Sequence, residues 1–365
     1  MASETKQSLV LRILLLASTY LLQVVHGQRQ VACLFIFGDS LSDSGNNNDL
    51  STAAKVNYPP YGIDFPNGPI ATGRFTNGRT AIDFITQYLG FEDFIPPFAN
   101  TTGSDILKGV NYASGSAGIR NESGTQLGDN VNLDEQLENH RIMVSQISST
   151  LGGPDQALEY LNQCLYYVNI GSNDYINNYF MPESFPTSST YNIVEYAEVL
   201  IQQLSQRIRV LHDNLGARKF VLNGLGLIGC TPQEISTHGI LGTLCVLEQN
   251  NAVIAFNAKL RLLVDQLNQE LSDANFIYVD NVAISAIYPL SGFTEINDEC
   301  CPVRGDGQCV PNETPCQNRR QYVFYDGFHP TEAANEITAT SSYNASNPLY
   351  TYPMDINHVL QLQVS

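Results

Sequence analysis

The chain contains a serine, a histidine and an aspartate whose surroundings suit them to nucleophilic catalysis. Ser40 follows an apolar run, Val31–Phe37, that is broken at Gly38. His329 stands three residues after Asp326. In a tight turn, this spacing lets the carboxylate accept a hydrogen bond from one ring nitrogen and leaves the other nitrogen free to take a proton from a hydroxyl. These are the residue types that nucleophilic catalysis by a serine hydroxyl requires, although the spacing alone is also compatible with coincidence.

Predicted strands and helices alternate along the chain, and the candidate residues lie where strands end. Five strands are predicted, in Val31–Phe37, in the segment that begins at Lys108, and in Leu165–Ile170, Lys219–Leu222 and Phe276–Asp280. Helices are predicted over Thr80–Leu89, residues 131–151, Ile193–Leu215, Glu248–Leu271 and Glu332–Ser341, with Ile142 and Val194 on inward faces. This alternation predicts an α/β fold, a three-layer α/β/α sandwich around a central five-stranded parallel sheet of flavodoxin-like type. Functional side chains should then lie at the carboxyl edge of the sheet.

Residues 28–365 are predicted to form a single domain, because they contain no low-complexity linker, internal repeat or shift in composition. A long loop, Asn46–Asn77, contains the segment Tyr58-Pro59-Pro60-Tyr61-Gly62. Pro and Gly at this density exclude regular elements. Long ordered loops in compact domains are commonly functional, so we expect a functional role for this one.

The remaining histidines and the aspartates beside Ser40 are interpreted as structural. His140, His212, His238 and His358 are assigned to solvated or structural positions. Asp39 and Asp43 lie in a segment rich in Ser and Asn, where aspartates commonly stabilise turns. His329 is then the candidate base, and it must be neutral to act. Activity should fall as the pH drops through the ordinary pKa of a histidine, about 6.5.

The candidate residues occur in four blocks that resemble those of the GDSL esterase/lipase family, whose catalytic members form the SGNH hydrolase superfamily. Ser40, Gly115, Asn173 and His329 fall in the four blocks in the family's order. The last block reads Tyr325-Asp326-Gly327-Phe328-His329-Pro330-Thr331, with Tyr and Gly where plant members more often have Trp and Ala. The resemblance extends from about Val31 to beyond Asn335 and is greatest to the plant branch of secreted members.

The resemblance implies the SGNH hydrolase fold and a role for each residue. Ser40 would be the nucleophile, His329 the general base and then acid, and Asp326 its partner in the charge relay. The oxyanion hole would comprise the Ser40 N–H, the Gly115 N–H and the Asn173 side-chain amide. The expected activity is that of a secreted serine carboxylic ester hydrolase acting on lipid or other acyl esters through an acyl-Ser40 intermediate, without metal or cofactor.

Two other functions are compatible with the sequence. The same residues would serve an acyltransferase or a deacetylase of cell-wall polysaccharide, which differ from an esterase only in acceptor or substrate. The second alternative is a catalytically silent binding glycoprotein that keeps the fold. The four intact blocks argue against it, since an inactive relative could lose any of these residues.

Residues 1–27 are predicted to be a secretory signal. Lys6 and Arg12 precede or open an apolar stretch that ends near Val25, and cleavage is expected after Gly27. Polar residues interrupt the stretch, which argues against a stable membrane anchor. The net charge of −18 argues against nucleic acid and anionic membranes as partners. We expect an extracellular protein of the cell wall or apoplast that acts on a small-molecule or lipid ester.

All eight cysteines follow the predicted signal, and an even number in an exported chain predicts disulfides. Cys230 and Cys245 are expected to close a short loop. A cluster is expected to form two bridges, without a bond between its adjacent members: Cys300, Cys301, Cys309 and Cys316. Cys33 and Cys164 lie in or beside apolar strands and are interpreted as free, buried thiols. The cluster has no Cys-x-x-Cys spacing, which argues against a metal site.

Four Asn-x-Ser/Thr sequons lie in polar stretches that are expected to be exposed, at Asn100, Asn121, Asn312 and Asn344. We expect at least two of them to be glycosylated.

Overall fold

The computed structural model describes residues 29–362, apart from residues 67 and 241. The predicted signal, residues 1–27, lies outside the described residues. Within them, the strands in chain order are β1 (Leu34–Gly38), β2 (Gly109–Asn111), β3 (Leu165–Asn169), β4 (Lys219–Asn223), β5 (Asn275–Val279), β6 (Glu295–Glu299), β7 (Tyr322–Phe324) and β8 (Thr351–Tyr352).

Helices follow most of the strands, as the hydrophobic periodicity predicts. In chain order the α-helices of the described residues are α1 (Ala81–Tyr88), α2 (Leu133–Leu151), α3 (Pro154–Leu161), α4 (Ser172–Asp174), α5 (Thr187–Thr190), α6 (Ile193–Leu215), α7 (Pro232–His238), α8 (Leu247–Glu270), α9 (Asn281–Ser285), α10 (Glu332–Tyr343) and α11 (Ile356–Gln361). A π-helical turn spans Tyr175–Tyr179. Capping boxes at Thr80, Asn132 and Asn192 start α1, α2 and α6, because each cap side chain accepts a hydrogen bond from the first turn.

The central sheet has the strand order β2-β1-β3-β4-β5-β8. The first five strands are parallel, and their order is that of a flavodoxin-like doubly wound sheet. The prediction of a five-stranded sheet is wrong by one strand, since β8 pairs antiparallel with β5. Thr351–Tyr352 is too short to give a periodic signal. A separate two-stranded sheet of β6 and β7 was also not predicted.

Two hydrophobic cores cover the two faces of the sheet. Successive side chains of a strand point to opposite faces. Phe35 and Phe37 of β1 accordingly pack in the core beneath α2, α6 and α8. Leu34 and Ile36 pack in the opposite core, beneath α1, α10 and α11. The fold is the predicted three-layer sandwich.

Two predicted inward residues are in fact exposed. Ile142 of α2 is 44% exposed and Val194 of α6 is 53% exposed. The inward face of α2 contains the predicted Leu133, Leu137 and Ile147, and also two polar side chains, Gln136 and His140, which are fully buried. The apolar pattern missed these two positions, because polar residues with internal hydrogen-bond partners occupy them.

The cysteines of the described residues form four disulfides. Cys230–Cys245 is confirmed, and the cluster pairs as Cys300–Cys316 and Cys301–Cys309. The interpretation of Cys33 and Cys164 as free thiols is wrong, because they form a disulfide with 4.6 Å between their Cα atoms. They immediately precede β1 and β3, which are neighbours in the sheet, with Leu34 opposite Leu165. The sequence does not reveal this pairing, because 131 positions separate the two cysteines.

Along residues 29–362, with the two gaps noted above, no helix is both long and apolar enough to cross a membrane. All four sequon asparagines are exposed: Asn100, Asn121, Asn312 and Asn344.

Candidate active site

Ser40, His329 and Asp326 form a continuous hydrogen-bonded chain at the carboxyl edge of the sheet. The Ser40 Oγ lies 2.8 Å from His329 Nε2. The Nδ1 atom of the same ring lies 2.9 Å from both carboxylate oxygens of Asp326. Asp326 is fully buried, His329 is nearly so and Ser40 is half-buried. A proton can therefore move from the hydroxyl to the ring while the carboxylate faces the imidazolium that forms.

A tight turn after β7 holds the aspartate and the histidine. Asp326 Oδ1 accepts hydrogen bonds from the N–H groups of Phe328 (2.9 Å) and His329 (2.8 Å). The His329 carbonyl accepts from Tyr325 N–H at 2.8 Å, which closes the turn. The ring of Phe75 packs against the imidazole with 4.8 Å between centroids. The predicted Asp-x-x-His geometry is thus stabilised by the backbone of the turn itself.

A further donor to the aspartate comes from the long loop before α1. The Tyr61 hydroxyl donates to Asp326 Oδ2 at 2.6 Å, and Tyr61 is 1% exposed. Each carboxylate oxygen of Asp326 therefore has a partner besides the imidazole.

The loop that follows β1 and contains Ser40 is fixed from two sides. On one side, Gln136 of α2 hydrogen-bonds the backbone of Gly38, the last residue of β1. Asp39 Oδ1 accepts a hydrogen bond from the Leu41 N–H at 3.0 Å, so this bond spans Ser40. Asp43 accepts from three N–H groups, those of Gly45 (2.7 Å), Asn46 (2.8 Å) and Gly115 (3.1 Å). Both aspartates hold turns, as was expected of them.

The turn after β2 brings a second set of N–H groups to the site. It is closed by a 3.1 Å bond from Ala117 N–H to the Ser114 carbonyl. Within it, the Gly115 N–H is engaged by Asp43. Ser116 has a φ of 64°, which is rare for a residue with a side chain. Among the described residues, neither the Ser116 N–H nor the Ser40 N–H has a hydrogen-bond partner.

Asn173 lies in α4, the short helix that follows β3. Its Nδ2 donates to the Ala117 carbonyl at 3.0 Å, and its Oδ1 accepts from Asn177 Nδ2 at 2.7 Å. The first of these bonds places the amide against the turn after β2. Since Nδ2 has two hydrogens, one remains for a ligand.

Burial is the main influence on the pKa values of the carboxyl groups around Ser40. It raises the pKa of Asp39 to about 7 and the pKa of Asp43 to about 6, although the N–H donors to each carboxylate oppose the shift. Burial also raises the pKa of Asp174, which follows Asn173, to about 6. Burial thus opposes ionisation of all three carboxyls beside the site.

The other histidines have different environments. His140 lies in the aromatic core, bonded to the Tyr112 hydroxyl, and burial lowers its pKa to about 3. His212 is held by carboxylates at both ring nitrogens, and His238 faces Glu234 at 3.6 Å. His358 also has the Asp-x-x-His spacing, and its Nδ1 lies 2.6 Å from Asp355 Oδ1. The spacing alone therefore does not distinguish His329 from His358. The His358 side chain is 63% exposed, and no hydroxyl bonds its ring among the described residues.

Comparison with known proteins identifies the family. The family model described as GDSL-like Lipase/Acylhydrolase matches residues 34–341. The chain belongs to this family. A GDSL esterase/lipase of Arabidopsis thaliana is 47% identical over 348 residues, which are 93% of this chain and 94% of the relative. Another from the same plant is 45% identical over 351 residues, covering 93% and 96%.

A solved structure, that of an extracellular lipase from Streptomyces rimosus, is 15% identical and covers 85% of this chain and 94% of its own. Its TM-score of 0.36 is too low to support a structural argument.

Membership of the GDSL family accounts for the Gly38-Asp39-Ser40-Leu41 segment but not for all of the site's contacts. Gln136 and Tyr61 were not among the predicted site residues. For Gln136 a signal exists, because it is a polar residue three positions after Leu133 on an inward helix face. For Tyr61 the signal is weaker, an aromatic residue within a Pro- and Gly-rich loop. Within the described residues, no group of three or more His, Cys, Asp or Glu side chains is arranged to hold a metal ion.

Proposed function

We propose that this protein hydrolyses carboxylic esters through an acyl-Ser40 intermediate. The observation that supports this most is the 2.8 Å contact between Ser40 Oγ and His329 Nε2, with Asp326 on the opposite ring nitrogen. His329 takes the hydroxyl proton as Ser40 attacks the acyl carbon, and then protonates the departing alkoxide. Water, deprotonated by the same ring, releases the acid. Neutral lipid or other neutral acyl esters fit the acidic character of the chain.

The tetrahedral intermediate requires hydrogen-bond donors aimed at its oxyanion. We assign the Ser40 N–H and the free hydrogen of Asn173 Nδ2 to this role. The third donor comes from the turn after β2. The family resemblance implies the Gly115 N–H, which can serve only if its hydrogen bond to Asp43 breaks. The Ser116 N–H has no hydrogen-bond partner among the described residues. Asn173→Ala should lower kcat about 10²- to 10³-fold, the usual loss for one such donor.

The first test is hydrolysis of short- and long-chain p-nitrophenyl esters by the purified protein and its Ser40→Ala variant. We expect the wild type to be active and Ser40→Ala to lose activity. Ser44→Ala is the matched control, because Ser44 lies in the same loop and its hydroxyl has no hydrogen-bond partner among the described residues. Wild-type protein that is inert on every ester and unreactive with a fluorophosphonate would contradict the proposal and favour a binding role. The ratio of hydrolysis to transfer onto added alcohols tests the acyltransferase alternative.

We further propose that the protein is exported and glycosylated. In the described part of the chain every cysteine is disulfide-bonded, as expected for an oxidising compartment. The four sequon asparagines are exposed. Protein secreted by a plant host should therefore shift in mobility on treatment with a glycosidase, and recovery only inside the cell, without a shift, would contradict export.

A further inference from the structure

Tyr61 connects the disulfide-rich loop to the candidate charge relay. Its hydroxyl donates to Asp326 Oδ2 at 2.6 Å and accepts from the Cys309 N–H at 3.0 Å. The side chain is almost wholly buried, and Tyr61 lies 248 positions from Cys309 and 265 positions from Asp326 in the sequence. Burial, together with the nearby Asp326, raises the pKa of Tyr61 well above its ordinary value, so the hydroxyl remains a donor.

Without Tyr61 the carboxylate would lack a partner on one side. The N–H groups of Phe328 and His329 both donate to Oδ1. Among the described residues, Oδ2 receives only the Tyr61 hydroxyl besides the imidazole. A buried carboxylate oxygen that loses its donor carries more charge toward its remaining partner. Tyr61 therefore affects both the orientation of Asp326 and how strongly that carboxylate attracts the imidazole proton.

The surroundings hold Tyr61 rigidly in this position. The Cys309 whose N–H it accepts is bonded to Cys301, and the Cys301 N–H donates to the Tyr325 carbonyl at 2.9 Å. The Tyr325 hydroxyl in turn donates to the Pro60 carbonyl at 2.7 Å, next to Tyr61. The rings of Tyr61 and Tyr325 pack edge to face with 5.7 Å between centroids. The disulfide loop and the Pro-Pro-Tyr-Gly segment thus form a support behind Asp326.

We propose that Tyr61 is a positioning residue for the Asp326–His329 pair, and that the Cys301–Cys309 loop keeps its hydroxyl in place. The proposal rests on the function proposed above. Tyr61 acts through Asp326 rather than on the substrate, so its loss should alter kcat and the pH profile and leave KM unchanged. With a less stabilised carboxylate, the imidazole keeps its proton to higher pH, and the acid limb of kcat/KM moves upward.

The test compares Tyr61→Phe with Tyr58→Phe on p-nitrophenyl acetate between pH 5 and 9. Tyr58 is the matched control, because its hydroxyl, in the same segment, contacts Gln308 and Cys309 but not Asp326. For Tyr61→Phe we expect kcat to fall about tenfold, KM to change less than twofold and the acid limb to move to higher pH. Tyr58→Phe should resemble the wild type. A Tyr61→Phe enzyme with wild-type kcat and acid limb would overturn the proposal.

A second variant covers the case in which Tyr61→Phe does not fold. 3,5-Difluorotyrosine at position 61 keeps the ring and makes the hydroxyl a stronger donor, so the acid limb should move to lower pH. An unchanged limb would overturn the proposal.

A third readout does not depend on activity. The low-field proton resonance of His329 Nδ1–H, measured in a Ser40→Ala background, should move further downfield with Phe at position 61 than with Tyr, because Asp326 becomes a stronger acceptor. If this shift occurs in a protein inert on every ester, the proposed function fails and the positioning role stands. If the enzyme is active and the resonance does not move, the positioning role fails alone.

Discussion

Gln136 holds the backbone of Gly38, two residues before Ser40, with both ends of its side-chain amide. Its Oε1 accepts the Gly38 N–H at 2.9 Å, and its Nε2 donates to the Gly38 carbonyl at 2.8 Å. Gln136 is fully buried on the inward face of α2. The helix that covers one face of the sheet therefore fixes the point at which β1 ends and the nucleophile loop begins.

Replacing Gln136 by leucine should cost stability and activity together. The Gly38 carbonyl would keep a second donor, the Ser114 N–H at 3.1 Å, but the buried Gly38 N–H would lose its acceptor. Such an orphaned group costs about 2 kcal/mol. We expect urea denaturation to show a loss of that size and kcat to fall as Ser40 moves. Gln146→Leu, an exposed site on the same helix, is the control. Equal stability of the two variants would contradict the role given to Gln136.

Asp43 is expected to position the turn after β2, to which one oxyanion donor is assigned above. Its carboxylate connects the nucleophile loop to Gly115, and an asparagine there would place an amide group where the Gly115 N–H now donates. The turn should shift, and kcat should fall about 10- to 100-fold with little change in KM. Steady-state kinetics of Asp43→Asn beside Asp49→Asn, an exposed residue of the same loop, provides the measurement. A kcat that rises would instead indicate that Asp43 restrains Gly115 N–H from acting as a donor.

Much of the architecture follows from local sequence, because the buried strands are short apolar runs and the long helices have clear 3.6-residue stripes. The boundaries of α6 were predicted without error. What local sequence does not give is contacts between segments distant in the chain. The Cys33–Cys164 disulfide depends on β1 and β3 being neighbours, which only the strand order determines. The strand β8 is only two residues long and forms because it pairs with the free edge of β5.

The same distinction applies to the site. The choice of Ser40, Asp326 and His329 as candidates rests on a local turn, a three-residue spacing and the resemblance of their blocks to the GDSL family. Tyr61 reaches Asp326 across 265 positions, so no spacing rule could select it. The spacing alone is not specific, since Asp355 and His358 also satisfy it, at the start of α11, where the His358 side chain is 63% exposed. The Asp326–His329 pair differs from the Asp355–His358 pair because His329 is buried and contacts a serine hydroxyl, and both features depend on the tertiary structure.

The Cys33–Cys164 disulfide should contribute more to stability than Cys230–Cys245. It closes a sequence separation of 131 residues, against 15 for the other. Chain-entropy estimates give about 5 kcal/mol for the longer loop and about 3 kcal/mol for the shorter. Denaturation of the two double alanine variants should rank them in this order. The reverse order would show that native-state packing, rather than the unfolded chain, determines the contribution of these bonds.

Asp39 should make the protein less stable as pH rises toward neutrality. Burial raises its pKa to about 7, whereas an unfolded aspartate titrates near ~3.9. Between these values the folded protein holds a proton that the unfolded chain has released. The stability from protonated Asp39 is therefore complete below about pH 4 and is lost as pH rises through about 7, at up to roughly 1.4 kcal/mol per pH unit. Asp39→Asn should remove this pH dependence of stability, while the asparagine side-chain oxygen still accepts a hydrogen bond from the Leu41 N–H.

The measurement is the free energy of unfolding of wild type and Asp39→Asn in urea at pH 5 and pH 7.5. The difference between variant and wild type should grow in favour of the variant at the higher pH. Asp43 titrates in both proteins, so its contribution cancels in that difference. The charge of Asp174 helps to raise the pKa of Asp39, so the difference between the two proteins includes this coupling. Asp129→Asn, at an exposed position, should follow the wild type. Parallel pH dependences for wild type and Asp39→Asn would mean that Asp39 is already ionised at pH 5, with its N–H donor and His329 compensating for its burial.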